Sequence, residues 1–312
     1  MTGTVLAQYV ALALTWGTSF MFIKVGLEGL SPGQVVLARL TAGAVALAVT
    51  CAVTRQVLPR ERVVWGHLLV VAVLLCVFPF LMFAWAEQHV SSGLASILNA
   101  TTPLMTMLVA LAALPRERPT PTRLAGLLVG FTGVVLVLAP WRSGPGAAGV
   151  EAPGDLVLWA QGACLAATLS YGMAFVYVRR FLSPRGLAAV PVAAGQVGLA
   201  ALVMLVLSPV LAWQPVELSW RVLTAMAGLG VLGTGLAYVW NTNIVAGWGA
   251  TNASTVAYLT PLVGVLAGTV VLAERISWNE PLGALVVVAG VAVSHGGVTR
   301  LSALLRPLGA AR

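Results

Sequence analysis

Residues 95–103 read ASILNATTP and residues 253–261 read ASTVAYLTP, so the chain carries one pattern twice. Each copy continues with a Glu, with a Gly nine residues after it and with a second Gly seven residues further on. These residues are Glu117, Gly126 and Gly133 in the first copy and Glu274, Gly283 and Gly290 in the second. Matched spacings over this length indicate that one structural unit has been duplicated.

The composition indicates that this unit lies in lipid. Of 312 residues, 59% are hydrophobic and 8% are charged, whereas soluble proteins carry about 25% charged residues. The net charge of +8 does not indicate nucleic-acid binding, because the basic residues form no patch or stripe and lie in short clusters between apolar runs. Membrane lipid is therefore an expected partner, and nucleic acid is not.

A spanning helix needs about 20 apolar residues, and ten such runs can be placed. They lie near 6–26, 32–53, 66–86, 91–113, 121–140, 155–177, 187–207, 220–240, 250–272 and 279–297. The sequence thus predicts an all-α polytopic membrane protein of two five-helix repeats, residues 1–140 and 155–300. A linker, 141–154, joins them, and a cytoplasmic tail, 301–312, follows.

The basic residues predict the orientation, since cytoplasmic loops are enriched in Arg and Lys. With a cytoplasmic N-terminus, twelve basic residues lie inside and three outside. The inside set is Arg55, Arg60, Arg62, Arg116, Arg118, Arg123, Arg179, Arg180, Arg185, Arg300, Arg306 and Arg312, and the outside set is Arg142, Arg221 and Arg275. Because five helices per repeat is an odd number, the second repeat must enter the membrane upside down, so the repeats are predicted to be inverted. The C-terminus is then also cytoplasmic.

An ordered set of motifs resembles the EamA-type family of the drug/metabolite transporter superfamily. The set is Trp16-Gly17-Thr18-Ser19-Phe20 with Lys24, Pro32 with Arg39, Ala95 to Pro103, Glu117-Arg118 with Thr120-Pro121 and Gly126, Gly233 to Tyr238, Ala253 to Pro261, Ala273-Glu274-Arg275 and Gly283 to Gly290. Leu114-Pro115-Arg116 departs from the pattern, because a Gly usually precedes the Glu. The resemblance covers roughly residues 6–297 and implies ten helices, alternating access and movement of small metabolites or drugs, often outward.

Six residues are candidates for substrate binding. Arg39 lies about seven residues into the second helix, roughly 10 Å deep, where a charge normally faces a polar cavity or a partner. It is a carboxylate or phosphate clamp, a gate residue, or a structural cation that pairs with a helix C-terminus or with Glu87. Trp16 and Tyr171 occupy matching places in the first helix of each repeat, where they either face substrate or pack between helices. The other candidates are Asn99, which is deep and polar, and Trp85 and Tyr238, which lie nearer helix ends, where aromatic belts are expected.

Four residues are candidates for a hinge or gate. Pro103 and Pro261 interrupt their helices at equivalent points, which predicts a kink that could serve as a hinge. Glu117 and Glu274 recur at the ends of the fourth and ninth helices, where each is either a gate latch or a cap for the next helix.

No acidic residue falls at mid-membrane in this assignment, and Glu87, at the outer end of the third helix, is the nearest. Because proton-coupled exchange of cations usually needs an embedded carboxylate, we expect transport that does not depend on a proton gradient. No nucleophile–base pair and no metal-ligand spacing is present, so the sequence predicts no enzyme, no metal and no cofactor.

The sequence therefore predicts a secondary transporter in the bacterial inner membrane. It would move amino acids or other neutral, zwitterionic or amphipathic solutes, and drugs as a further option, by alternating access in the direction of export. The alternatives are an uptake carrier and a non-transporting membrane scaffold or receptor. A monomer is predicted, with a dimer as the alternative.

Overall fold

The computed structural model describes residues 2–114, 120–139, 153–249, 253 and 255–294, which contain helices and no strand. Eight helices are long and apolar enough to span a membrane, and two further apolar helices are shorter. They are α1 (Thr2–Gly26), α2 (Pro32–Val53), α3 (Arg62–Ala86), α4 (Ser92–Ala113), α5 (Pro121–Leu138), α6 (Gly154–Phe181), α7 (Ala189–Leu211), α8 (Trp220–Trp248), α9 (Val256–Leu272) and α10 (Asn279–Ser294). The predicted all-α multi-pass fold is confirmed.

Four of these helices begin at a hydroxyl residue, which explains where they start. Ser31, Ser91, Thr120 and Ser219 each accept a hydrogen bond from the backbone N–H three residues further on. Such a cap satisfies one of the N–H groups that have no partner inside the helix. At α2 the cap is reciprocal, because the Gln34 side chain accepts from the Ser31 N–H at 2.8 Å.

Helix α8 is longer than its predicted span, 220–240, because it continues to Trp248. The polar pair Asn241 and Asn243 ends the hydrophobic run in sequence, yet Thr242 donates to the Tyr238 carbonyl at 2.8 Å within the same helix. Tyr238 therefore lies ten residues before the end of α8, in its interior. The prediction that places Tyr238 near the helix end, in an aromatic belt, is wrong for this reason.

Helices of one half of the chain pack on helices of the other half at two equivalent contacts. Gly17 of α1 lies against α9, where an added Cβ would meet the Val263 side chain at 2.4 Å. Gly172 of α6 lies against α4, where an added Cβ would meet the Met105 backbone at 2.9 Å. The first helix of each half therefore packs closely on the fourth helix of the other half, and small residues permit that approach.

The fifth helices, α5 and α10, pack antiparallel through glycines. A Cβ on Gly126 would meet the Gly290 carbonyl oxygen at 2.6 Å, and a Cβ on Gly133 would meet the Gly283 carbonyl oxygen at 2.8 Å. Residue numbers therefore rise along α5 while they fall along α10, so the two helices are antiparallel. Helices α2 and α7 are also antiparallel, because Gly33 at the start of α2 lies against Leu211 at the end of α7.

Apolar side chains cover the outer faces of the bundle as well as its interior. Val206, Val210 and Val270 are each more than 70% exposed, which lipid tolerates and water does not. The predicted linker, 141–154, lies outside the described residues except for 153 and 154, and the predicted tail, 301–312, lies outside them entirely. Those boundaries stay predictions.

Candidate functional site

Arg39 is buried between α2, α3 and α8 and is 8% exposed. Its Nε donates to Thr234 Oγ1 of α8 at 3.0 Å. Its guanidinium carbon lies 3.6 Å from the centroid of the Phe80 ring of α3, a cation–π contact. Arg39 of α2 therefore joins the third helix of one half to the third helix of the other.

Both third helices widen into π-helix beside Arg39. The wide segments are Val73–Val77 in α3 and Gly228–Leu236 in α8, so they occupy equivalent places in the two repeats. Thr234, the partner of Arg39, belongs to the segment in α8. Ser170 of α6 donates to the Leu74 carbonyl in the segment of α3 at 2.7 Å. Segments of this kind are rare and occur frequently at functional sites.

Two predicted aromatic residues pack in the same region as the guanidinium. Tyr171 and Tyr238 both lie against the core cluster that contains Phe80, the ring in contact with Arg39, and both keep part of their side chains exposed within the structure. The Tyr238 hydroxyl lies 4.0 Å from Cys76 Sγ, and the Tyr171 ring stacks on Phe83 with centroids 6.3 Å apart. The structure thus brings together three of the six predicted binding residues: Arg39, Tyr171 and Tyr238.

The other three candidates lie elsewhere. Trp16 packs in a separate cluster with residues of α8 and α9, including Ala237 and Val256. Trp85 stands edge-on to His89 near the end of α3, with centroids 5.2 Å apart. Asn99 is the last residue of the first segment of α4, and the helix resumes at Thr102. Trp16 and Tyr171 are matched in sequence but do not share one site.

The two predicted proline kinks differ. Pro103 follows the break in α4 at Ala100 and Thr101, whereas Pro261 lies inside the continuous helix α9. Ser96 donates to the Thr260 carbonyl, beside Pro261, at 3.3 Å. The interruption is therefore confirmed in α4, and the hinge role of both prolines stays a prediction.

Glu274 caps the N-terminus of α4. Its carboxylate oxygens accept from the Ser92 N–H at 2.8 Å, from the Ser92 hydroxyl at 2.9 Å and from the Gly93 N–H at 3.1 Å. From the sequence, Glu274 is either a gate latch or a cap for the next helix, α10. In the structure it is a cap, but the helix that it caps is α4 of the other repeat. Glu117, its predicted counterpart, lies outside the described residues.

Lys24 binds the C-terminus of α3 at the same end of the bundle, called here the Lys24 end. Its ammonium donates to the backbone carbonyls of Glu87 and, at 2.9 Å, of Val90. Cations at a helix C-terminus are favourable because the last carbonyls lack partners. Pairing with a helix C-terminus is one of the alternatives that the sequence leaves for Arg39, but Arg39 contacts Thr234 and Phe80 instead.

The burial of Glu87 is a feature that the sequence does not predict. This residue lies at the end of α3, as predicted, and its side chain is 0% exposed. Neither carboxylate oxygen has a hydrogen-bond partner in the part of the chain that the structure describes. The sequence signal that could have found it is the pair of helix ends, Lys24 and Glu87, which carry opposite charges at one face of the membrane.

Nothing in the described part of the chain groups three or more His, Cys, Asp or Glu side chains as a metal site would need. The chemistry of the central site is therefore that of one buried cation with neighbouring hydroxyl groups and aromatic rings. Such a set of residues can bind an organic anion and an apolar side chain.

Comparison with known proteins shows the family. The model of the EamA-like transporter family matches the chain twice, over residues 2–139 and 158–295. The uncharacterized transporter YdfC of Bacillus subtilis is 25% identical over 287 residues, which are 92% of this chain and 89% of that protein. The uncharacterized inner membrane transporter YedA of Escherichia coli is 25% identical over 283 residues, 90% of this chain and 87% of that protein.

A third relative, the probable terminal-alkyne amino-acid exporter of Streptantibioticus cattleyicolor, is 34% identical over 128 residues, 41% of this chain and 42% of that protein. A solved crystal structure matches with a TM-score of 0.65 and 21% identity, covering 96% of this chain and 99% of the other, and it supports the fold alone. The family and these relatives are transporters and not enzymes. This chain, which the family model matches over both halves, belongs to the EamA-like transporter family.

Proposed function

We propose that the protein exports small zwitterionic metabolites of the amino-acid class across the bacterial inner membrane by alternating access. The observation that carries the proposal is Arg39. It is a buried cation with no carboxylate of the described residues within 4.0 Å. A buried charge without a counter-ion is costly, and a substrate carboxylate would supply the missing charge.

The surroundings of Arg39 fit this class of solute. The guanidinium offers several N–H donors in a planar fork that suits a carboxylate. Tyr171 and Tyr238 add hydroxyl groups, and Phe80 and Phe83 supply apolar surface for a side chain. Amino-acid export is also the activity in the name of the relative from Streptantibioticus cattleyicolor.

Alternating access is supported by the packing of equivalent helices. Helices α5 and α10 are antiparallel, as are α2 and α7, which is the arrangement expected of two inverted five-helix repeats. We therefore infer ten spanning helices, with the shorter α9 and α10 included. The basic residues in the loops support cytoplasmic termini and an external Lys24 end.

We also propose that the transporter acts as a monomer. Small residues that often join separate membrane helices contact other helices of the same chain here. Gly130 faces Leu104, Gly264 faces Ser96, and Gly268 faces Glu274. Because these glycines are occupied by contacts within one chain, they are not available to join two chains.

Flux in proteoliposomes tests the proposal. Labelled zwitterionic amino acids, nucleosides and cationic dyes would be loaded in turn, and their efflux compared with that from liposomes without protein. We expect efflux of at least one zwitterionic amino acid and none of the cationic dyes, since a buried Arg39 repels cations. Efflux of the dyes alone would contradict the proposal.

A further inference from the structure

Glu87 lies in a closed environment at the Lys24 end, where its carboxyl group has no partner. It follows the last residue of α3, and its side chain is 0% exposed with neither oxygen hydrogen-bonded. Its neighbours Phe83, Ala86 and Val90 belong to an apolar cluster with Ala160 and Cys164 of α6. The carboxyl group is therefore buried beside an apolar cluster and away from water.

Three charged groups act on Glu87 from the helices around it, namely Lys24 at the end of α1, Arg39 in α2 and Glu274 beyond α9. The thiol of Cys164 in α6 is the titratable group of the apolar cluster beside it. Lys24 and Arg39 attract a negative charge on Glu87, and Glu274 repels it. His89, two residues along the chain, packs on Trp85 instead.

The nearest cation, Lys24, is satisfied without the carboxyl group. Its ammonium donates to two backbone carbonyls, those of Glu87 and Val90, so it neutralises the C-terminus of α3 rather than the side chain. Arg39 is likewise held by Thr234 and Phe80. An ionised Glu87 would then be a buried anion without a hydrogen bond from the described residues, which is unfavourable because the charge has lost its water.

The protonated form avoids this cost, because a neutral carboxyl group loses far less on leaving water. The geometry points to a proton-binding site at the Lys24 end: Glu87 takes up one proton when the ends of α1, α3 and α9 and the start of α4 close over it, and returns that proton to water when they separate. This inference rests on the proposed alternating-access function. It assigns Glu87 to gating, while transport that does not depend on a proton gradient stays a prediction, since the proton is taken up from and returned to the same side.

The dependence on pH has a defined sign. The closed state binds one proton more than the open state, so raising the pH must shift the population towards the open state. Acidification must favour closure. Glutamine has the size of a neutral carboxyl group and cannot ionise, so Glu87→Gln should keep the Lys24 end closed at every pH.

The thiol of Cys164 can report the opening, since it is 0% exposed and lies in the same cluster. Cys51 and Cys76 would be replaced by Ala in full-length protein, and right-side-out vesicles would be treated with a membrane-impermeant maleimide at pH values from about 6 to about 8.5, values chosen to span neutrality. Labelling of Cys164 would be compared with and without Glu87→Gln. Because the Glu87→Gln protein shows how pH alone affects the thiol, the difference between the two proteins isolates Glu87.

At the highest pH, we expect Cys164 to be labelled about tenfold faster when Glu87 is present than in Glu87→Gln. A tenfold ratio corresponds to a change of about 1.4 kcal/mol in the free energy of opening. Glu217→Gln, at an exposed loop residue, should behave as the unsubstituted protein. Equal labelling of the unsubstituted and Glu87→Gln proteins at all pH values would overturn the inference.

Thermal unfolding supplies the second readout. A neutral Glu87 predicts that Glu87→Gln is at least as stable as the unsubstituted protein at pH 7, so a variant that fails to fold would also overturn the inference. The proposed function fails separately: absence of all solute flux would contradict transport while the labelling still reports whether Glu87 gates the bundle.

Discussion

At the level of single residues, the central site holds a buried cation, Arg39, whose charge is costly there. Arg39 has a hydrogen bond to Thr234 and a ring contact with Phe80, but no carboxylate of the described residues pairs with it. Replacing a whole buried ion pair by apolar side chains of similar size is often neutral or stabilising by about 1–4 kcal/mol, and Arg39→Met leaves no paired carboxylate behind among the described residues. A residue retained against that gain is expected to serve function.

We therefore predict that Arg39→Met unfolds at the same temperature as the unsubstituted protein or higher, yet loses transport of zwitterionic solutes by at least about tenfold, or about 1.4 kcal/mol. Thermal unfolding and proteoliposome efflux measure the two effects. Arg180→Met, at an exposed residue near the end of α6, is the control and should change neither. A large loss of stability in Arg39→Met would mean that Arg39 holds the bundle together instead.

We expect substitutions of Tyr171 and Trp16 to have different effects. Tyr171→Phe removes a hydroxyl group of the central site and keeps the ring that stacks on Phe83. It should lower efflux several-fold with little change in stability, because one hydrogen bond to substrate contributes about 1 kcal/mol. Trp16→Ala removes a packed ring from the cluster with α8 and α9 and should lower the unfolding temperature. If Trp16→Ala lost efflux without losing stability, Trp16 would belong to the binding site after all.

At the scale of elements, close helix contacts are the feature that sequence spacing reveals best. Gly126, Gly133, Gly283 and Gly290 recur at the same intervals in both repeats, and the structure joins them in one antiparallel contact. The pairing has a physical cause, since only Gly lets two backbones approach this closely. An added methyl group at such a contact forces the helices apart.

We predict that Gly290→Ala lowers the free energy of unfolding by about 1–3 kcal/mol, the usual cost of overpacking. Its Cβ would lie 2.3 Å from the Gly130 backbone nitrogen. Gly162→Ala is the matched control, because that helical glycine of α6 has nothing within 4 Å of the new Cβ and should be neutral or stabilising. Equal unfolding temperatures for the two variants would contradict the α5–α10 contact.

Particular residues show what sequence can predict and what it cannot. The position of a residue along a helix predicts its depth, and this identifies Arg39. The spacing of motifs predicts duplication, and this identifies the repeat. Neither position nor spacing predicts which side chain on another helix a residue contacts. The capping of α4 by Glu274 and of α3 by Lys24 joins residues 182 and 63 positions apart, and the burial of Glu87 depends on all the helices around it. The π-helical widening of α3 and α8 leaves no compositional signal.

At the scale of the whole molecule, the proposed orientation predicts which loops water-soluble reagents reach. With cytoplasmic termini, residues 55–62, 116–123 and 178–186 face the cytoplasm, while the Lys24 end faces outside. In a background with Cys51, Cys76 and Cys164 replaced by Ala, Glu217→Cys, at an exposed residue, should react with an impermeant maleimide added to intact cells. Arg60→Cys should react only after the cells are permeabilised, and the reverse pattern would contradict the proposed orientation.

As a whole, the bundle is proposed to move a carboxylate-bearing solute past Arg39. This proposal is tested by efflux from proteoliposomes of a zwitterionic amino acid and of the amine that differs from it only by lacking the carboxyl group, for the unsubstituted protein and for Arg39→Met. We predict efflux of the amino acid, little efflux of the amine, and loss of this discrimination in Arg39→Met. Equal efflux of both solutes by the unsubstituted protein, or discrimination that survives Arg39→Met, would contradict it.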